Sequence, residues 1–288
     1  MRTLFEEVYR SANDNHKAYM EMAEVVRVQN VADYIYSLEQ EYFNVTSDFP
    51  NLAPPFPVFW MEFSIPDKLY DGERFRDVEW HDTRFGFLFM SQEIGEDNLY
   101  WDIDIVGFIK PGGKAREDGR GEAIEVFHWD VGIDKNGGVA KDFSFRAPHK
   151  ANLTTEERLE IEVQAEGWAY NMLCPCLLAI SFLHCKNVHI ISHSPRVAGR
   201  RPRRYEPKIR FHTLQIEPMK KILRDEGGSE KTGIKHALHI CRGHFKDFTK
   251  GKGLFGRYKE IYWWDSQVRG SGIKGAVLKD YSVDKPAE

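Results

Sequence analysis

Hydrophobic residues in the first forty positions recur at intervals of three to five, which predicts helical structure; they are Tyr19, Met22, Val26, Val31, Tyr34 and Leu38. The prolines within residues 51–57 end this region, because proline lacks the backbone donor that continues a helix. Runs rich in Phe, Trp, Ile and Val follow at 58–65, 84–90, 99–109 and 123–131. Short loops between these runs predict an antiparallel meander.

A long helix is predicted to begin at Thr154 or Thr155 and to run to about Lys186, with a kink at Pro175. Residues 168–185 carry no charge, and this length would suffice for a membrane span. Polar residues and the proline interrupt the run, so we expect a buried core helix and no membrane contact. The side chains expected in the core are Leu173, Leu177, Ile180 and Leu183.

Further strands are predicted at 187–192, 208–217, 235–245 and 258–264. The predicted fold class is α+β, with antiparallel strands, an N-terminal helix and one long buried central helix. We expect an acidic region of helix and antiparallel sheet at 1–150. In the second region, 151–288, the long helix precedes basic β-structure, and the two regions could also form one continuous domain.

Charge is distributed unevenly along the 288 residues. Residues 187–274 hold 20 Lys and Arg against 8 Asp and Glu, whereas the rest of the chain holds 20 against 36. A basic region of this kind attracts the phosphates of RNA or DNA. Four cysteines are too few for a disulfide scaffold and no secretory signal is apparent, so we expect a reducing cytoplasm.

The densest group of chemically active side chains lies at 236–245. On a strand the even-numbered residues share one face, so His236, Arg242 and His244 would lie together. A guanidinium can hold a phosphate while an imidazole transfers a proton near neutral pH, which is the chemistry of metal-independent RNA cleavage. The alternative is that the histidines are ordinary strand residues and that Arg242 forms a structural ion pair.

The neighbouring segment combines aromatic and basic residues. Trp263 and Trp264 are adjacent, so on a strand they would face opposite sides. One indole could be buried while the other stacks on a base, flanked by Arg257 and Arg269. Packing of both rings in the core and at its margin is the alternative.

A basic loop is predicted upstream, between two strands. Nine Lys and Arg but only two acidic residues lie in 196–221. The residues expected to contact nucleic acid are Arg200, Arg201, Arg203, Arg204 and Tyr205. Interspersed proline and glycine favour an extended arm, and a solvated loop or an arm that binds an acidic partner subunit are the alternatives.

Metal and cofactor sites are the weaker interpretations of the remaining motifs. No Cys-x2-Cys pair accompanies the histidines of 236–244, and Cys174 and Cys176 lie in an apolar helix, so we predict no structural zinc. The pattern Gly-x-Gly-x-x-Gly at 251–256 is followed by a strand rather than a helix, so we predict no nucleotide cofactor. The carboxylates expected on solvent-facing strand surfaces, rather than at a divalent metal, are Asp102, Asp104, Glu122 and Glu125.

Several blocks occur in a characteristic order: Pro57–Phe63, Leu183–Val188, His239–Phe245, Gly253–Arg257, and Tyr262-Trp-Trp followed by Val268-Arg-Gly. In this order they resemble an uncharacterised family carried by bacteriophages and prophages. The resemblance spans residues 57 to 270 and implies a bacterial cytoplasm, but no activity. The last block of that family often begins with histidine, and Gln267 stands near that position here.

Two functions are therefore predicted. The first is a phage or prophage protein that binds RNA or DNA, with metal-independent endoribonuclease activity at Arg242 and His244 as its enzymatic form. The second is a non-enzymatic interaction protein that docks on a host protein or complex. The oligomeric state is left open.

Overall fold

The computed structural model has the predicted α+β class, with a large and mostly antiparallel sheet. It describes residues 3–36, 48–65, 83–96, 98–112, 122–146, 155–193, 211–216, 237–241, 244–254, 256–264, 267–269 and 271–276. Within these residues, no helix is both long enough and apolar enough to cross a membrane.

The described residues form four helices and thirteen strands. The helices are α1 (Leu4–Ser11), α2 (Asp14–Met22), α3 (Gln29–Tyr36) and α4 (Thr155–Leu183). The strands of the main sheet are β1 (Glu24–Arg27), β2 (Val58–Ser64), β3 (Arg84–Glu96), β4 (Leu99–Lys110), β5 (Ile124–Ile133), β6 (Val139–Arg146), β7 (Val188–His193) and β8 (Phe211–Ile216). The remaining strands are β9 (Ala237–Cys241), β10 (His244–Asp247), β11 (Ile261–Trp264), β12 (Gln267–Arg269) and β13 (Ser271–Ala276).

The eight-stranded sheet has the order β6-β5-β4-β3-β2-β1-β8-β7. Neighbouring strands from β2 to β6 are antiparallel, as expected for a meander. Residues 3–36 differ from the expected N-terminal helix, because β1 follows α2 and pairs in parallel with both β2 and β8. This short strand lies between β2 and β8 and joins them in one sheet, although β2 and β8 are far apart in the sequence.

Helices α1 and α2 cover one face of the sheet. Thr3 begins α1 with a capping box, and the side chain of Asn13 caps α2. Their apolar residues pack with Trp60 and with neighbours on β3 and β4 in one buried cluster. A Cβ atom on Gly86 would lie 2.1 Å from Cζ2 of Trp60, so only glycine leaves room for the indole beside this part of β3.

The carboxylate of Glu62 links this face of the sheet to α1. It accepts hydrogen bonds from the backbone N–H of Phe5 at 3.0 Å and from Nε1 of Trp60 at 3.1 Å. The Nε atom of Arg27 on β1 lies 3.7 Å away, and the guanidinium of Arg27 covers the ring of Phe211 on β8. One carboxylate therefore connects β2, the start of α1 and the parallel strands.

Helices α3 and α4 lie on the opposite face. Tyr36 of α3 contacts the ring of Phe63 and donates to Sδ of Met172 on α4, while Tyr170 of α4 meets the ring of Phe143 on β6. The expected core residues Leu173, Leu177 and Ile180 are buried, and Leu183 is half-buried. Burial is established for the C-terminal half of α4, not along the whole predicted helix, and Pro175 lies inside it.

The chain divides into two compact units. The first comprises Met1–His184 and Ile190–Gln215, and the second comprises Cys185–His189 and Ile216–Glu288. Helix α4 thus belongs to the first unit, whereas the sequence-based division placed it in the second region. In the second unit β10 pairs with β11, and β9 lies between β12 and β13.

Candidate functional site

Many of the residues predicted to bind or cleave nucleic acid lie outside the described residues; they are Arg200, Arg201, Arg203, Arg204, Tyr205, His236 and Arg242. For His244 and Arg269 the structure gives the backbone position. The side chains that can be located are those of Arg257, Trp263 and Trp264, all in the second unit.

Backbone pairing brings several of these positions together. His244 on β10 lies opposite Trp264 on β11, and Arg269 on β12 lies opposite His239 on β9. The β10–β11 and β9–β12 ladders are both antiparallel. In each of them the numbers of two paired residues have the same sum, so the two ladders have the same register. His244 and Trp264 are thus directly opposite each other in the backbone ladder.

The two tryptophans are both buried. Trp263 is 4% exposed and meets Phe245 edge-on at 4.8 Å between ring centroids. Trp264 is 8% exposed, and Nζ of Lys246 lies 3.9 Å from the centroid of its ring. Stacking of a base on Trp264 would require Lys246 to leave this cation–π contact.

Asn187 fixes the position of β11 from the side away from β10. Its amide donates to the carbonyl oxygen of Trp263 and accepts from the N–H of the same residue, both at 2.9 Å. The backbone N–H of Lys186 donates to the carbonyl oxygen of Ile261. The buried Asn187 side chain therefore satisfies backbone groups that a neighbouring strand would otherwise pair.

The turn between β10 and β11 carries four exposed cations, which we call the tip surface: Lys250, Lys252, Arg257 and Lys259. The three glycines of the Gly-x-Gly-x-x-Gly pattern lie in this turn and have positive φ angles. A Cβ atom on Gly253 would lie 2.4 Å from the carbonyl oxygen of Tyr258, where a close approach closes the turn.

An aromatic cluster supports the tip surface. Tyr262 and Trp264 are buried against Phe248, Leu254 and Tyr258. The N–H of Leu254 donates to the carbonyl oxygen of Tyr258, and the N–H of Tyr258 donates back to Leu254. The cations therefore project from a packed turn and not from an unsupported loop.

Acidic residues near the tip surface are engaged locally. Asp247 accepts hydrogen bonds from the hydroxyl and the N–H of Thr249, and these bonds lower the pKa of the Asp247 carboxyl. Glu260 lies 3.6 Å from Nζ of Lys186. Residues 244–264 contain five Lys and Arg against these two acids, so this segment is positively charged.

A second polar arrangement lies in the first unit and was missed by the sequence analysis. Ser192 Oγ lies 3.0 Å from Nδ1 of His212, and Nε2 of His212 lies 2.9 Å from Oε2 of Glu24. These residues come from the three adjacent strands β7, β8 and β1. No spacing motif could have revealed the group, because Glu24 and His212 are 188 residues apart.

The neighbouring residues on β7 and β8 form a separate pair. Nε2 of His193 lies 2.8 Å from the hydroxyl of Thr213, and the His193 ring stacks on Phe211 with 4.8 Å between centroids. Successive strand residues face opposite sides, so this pair and the Ser192–His212 pair lie on different faces. The arginine-rich segment 194–210 connects His193 to Phe211 in the sequence.

Cysteine and carboxylate positions do not assemble into a metal centre in the part of the chain that the structure describes, where no suitable group of three or more His, Cys, Asp or Glu occurs. Asp130 instead binds Lys141 and Arg146, and Glu125 binds Nε2 of His128 at 2.7 Å. Burial raises the pKa of the Cys185 thiol to about 12, which disfavours the thiolate that binds metals.

Comparisons with known proteins find no match, whether with protein-family models, curated proteins or solved structures. Function is therefore inferred from the residues and geometry of the chain itself.

Proposed function

We propose that the chain binds RNA or DNA through the tip surface of the second unit. Arginines in the segment 196–204 and the predicted residues Arg242, His244 and Arg269 are proposed as further contacts to nucleic acid, each in its own unit. The observation that carries the proposal is the group of four exposed cations on a turn whose base is packed by aromatic side chains.

The physical case rests on charge and support together. Lysine and arginine neutralise backbone phosphates and release condensed counterions, which supplies most of the affinity in non-specific binding. The exposed ammonium and guanidinium groups of the tip surface can approach phosphates without leaving a buried site. We therefore expect contacts to the phosphate backbone, which position a nucleic acid without reading its bases.

The test compares two quadruple variants of the tip surface. One replaces Lys250, Lys252, Arg257 and Lys259 with Ala, and the matched control exchanges Lys for Arg and Arg for Lys at the same positions. Fluorescence anisotropy with labelled RNA and duplex DNA should show a loss of about ten- to a hundredfold in affinity for the first. The control keeps every charge and should bind like the wild type. Equal affinity of the alanine variant and the wild type would refute the proposal.

Cleavage of RNA is the enzymatic form of this proposal. Arg242 would hold the scissile phosphate, His244 would transfer a proton, and His236 is the proposed second proton carrier. The backbone pairing of His244 with Trp264 supports this form of the proposal. His244→Ala should abolish cleavage measured in the presence of EDTA, while the control His239→Ala should retain it. Unchanged cleavage by the His244→Ala protein would refute catalysis at this position.

A second candidate function is docking on a host protein, and one observation favours it. The end of the β3–β4 hairpin is exposed and acidic, with Glu93, Glu96 and the apolar side chain of Ile94 facing solvent. The resemblance to a phage and prophage family supports a bacterial host. If the wild type fails to bind RNA or DNA at low salt, this candidate replaces the first, and charge reversal at Glu93 and Glu96 should then abolish partner binding.

A further inference from the structure

The geometry points to a serine nucleophile in the first unit: we propose that Ser192, His212 and Glu24 hydrolyse carboxylic esters. None of the three residues belongs to the tip surface, so this proposal does not rest on the proposed binding of nucleic acid. Its basis is the linear contact from the Ser192 hydroxyl through the imidazole to a carboxylate, at 3.0 Å and 2.9 Å. A nucleophile, its base and a group that orients the base are three of the groups that such a site uses.

The carboxylate of Glu24 determines the tautomer of His212. A carboxylate only accepts hydrogen bonds, so Nε2 of the neutral imidazole must carry the proton and donate it to Glu24. Nδ1 then has a free lone pair and accepts from the Ser192 hydroxyl. This is the protonation state that a general base needs before it activates a serine. In the Ser-His-Asp triad Nε2 contacts the serine and Nδ1 contacts the carboxylate. Here the two ring nitrogens exchange these contacts, but the order serine, imidazole, carboxylate is the same.

Exposure suits the three roles. Ser192 is exposed on β7, the last strand of the sheet in the described residues, so a substrate can reach its hydroxyl. The His212 side chain is 14% exposed and that of Glu24 is 49% exposed. The base, His212, is thus largely buried, while the nucleophile, Ser192, faces solvent.

Phe56 forms an apolar wall beside the base. Its ring stacks on His212 with 6.1 Å between centroids and 19° between planes. The segment that carries Phe56 is fixed, because the N–H of Ser91 donates to the carbonyl oxygen of Pro57 at 2.8 Å and His184 contacts the carbonyl oxygen of Ala53. We therefore expect esters with an apolar acyl or alcohol group to be preferred over charged ones.

The reaction is balanced without a cofactor. Ser192 Oγ forms a bond to the ester carbonyl carbon as its proton moves to Nδ1 of His212, and the resulting imidazolium is stabilised by Glu24. The tetrahedral adduct breaks the bond to the alcohol oxygen, which takes the proton from Nδ1. Water then attacks the acyl-serine and delivers its proton to Nδ1, the carboxylic acid leaves, and Ser192 recovers its proton.

The experiment uses the full chain with two readouts. Hydrolysis of p-nitrophenyl butyrate is measured for the wild type and for Ser192→Ala, His212→Gln and Glu24→Gln. A fluorophosphonate probe followed by peptide mass spectrometry identifies the labelled serine. The control is Ser11→Ala, because the Ser11 hydroxyl donates only to backbone carbonyls of its own helix.

We expect the adduct on Ser192, and we expect about a hundredfold or greater loss of hydrolysis in the Ser192 and His212 variants. Ser11→Ala should hydrolyse the ester like the wild type. Ser192 lies on an exposed strand, so its alanine variant should fold, which circular dichroism checks. Absence of an adduct on Ser192, or wild-type hydrolysis by folded Ser192→Ala, overturns the proposal. Nucleic-acid affinity should be unchanged in Ser192→Ala. Failure of the ester-hydrolysis proposal would therefore not contradict the proposal that the tip surface binds nucleic acid.

Discussion

Replacing Glu62 with Ala should strongly destabilise the first unit, because this carboxylate accepts hydrogen bonds from one backbone donor and one side-chain donor at the junction of α1 and β2. The side chain is only 13% exposed, and it accepts hydrogen bonds from the Phe5 N–H and from the indole N–H of Trp60, which is fully buried. Alanine offers neither donor an acceptor. Both N–H groups would remain near the protein interior without a partner.

The magnitude follows from these two bonds. A hydrogen bond to a charged acceptor contributes about 1.5–3 kcal/mol, so two independent bonds would contribute about 3–6 kcal/mol. The two donors share one oxygen, Oε2, so losing both should cost about 3–4 kcal/mol, the lower part of this range. The ion pair with Arg27 is left out of this sum, because its N–O distance of 3.7 Å is too long for a hydrogen bond and the Arg27 side chain is 38% exposed. Both donors bind the same oxygen, Oε2, so the carbonyl oxygen of Glu62→Gln can still accept both hydrogen bonds. The bonds lose the charge of the acceptor, and the cost should be about half as large.

Thermal unfolding followed by circular dichroism measures the effect. For a unit of this size about 3–4 kcal/mol corresponds to a fall in Tm of about 10 °C. The matched control is Glu21→Ala, which removes an exposed carboxylate that accepts one hydrogen bond from Tyr9 and should shift Tm by about 2 °C at most. Equal shifts in the two alanine variants would show that Glu62 does not hold α1 and β2 together.

Three further predictions concern packing and charge. Gly86→Ala should lower stability by about 1–3 kcal/mol, seen as a lower urea midpoint, because the new methyl group displaces the Trp60 indole; an unchanged midpoint would contradict the packing. Asn187→Ala should speed amide exchange at Trp263, whose N–H loses its buried acceptor, and unaltered exchange would argue against that bond. Burial alone would raise the pKa of Glu7, but hydrogen bonds from its two basic partners lower it below 4.5. Its stabilisation is therefore present above about pH 4.5 and lost as the pH falls through the lowered pKa, so Glu7→Gln should weaken the pH dependence of Tm below about pH 4.5, whereas a wild-type profile would contradict this.

Strand positions were predicted where burial leaves a strong local pattern. β2 to β5 are rich in aromatic and branched residues, and they lie close to the predicted runs. β6 was missed because most of its residues are exposed or half-buried, which weakens the hydrophobic signal. β1 was missed because its four residues follow a helix and are held as a strand by partners distant in sequence.

In the candidate site, too, some features depend on neighbours in the sequence and others depend on residues far away in the sequence. The opposite orientation of Trp263 and Trp264 could be predicted from strand geometry. That both rings are buried could not be predicted in this way, because their burial depends on Phe245 and Lys246 on the paired strand of the hairpin. The Ser192–His212 contact likewise requires knowledge of which strands are neighbours, and the sequence carries no spacing that reveals it.

The salt dependence of nucleic-acid binding tests the proposed function most directly. The association constant for duplex DNA is measured across about 50–200 mM salt for the wild type and for the variant with all four tip-surface cations replaced by Ala. Four phosphate contacts contribute about −3.6 to the slope of log K against log salt, so the variant should be shallower by about 3–4. Identical slopes for the two proteins, with the fold intact by circular dichroism, would contradict the proposal that the tip surface binds nucleic acid.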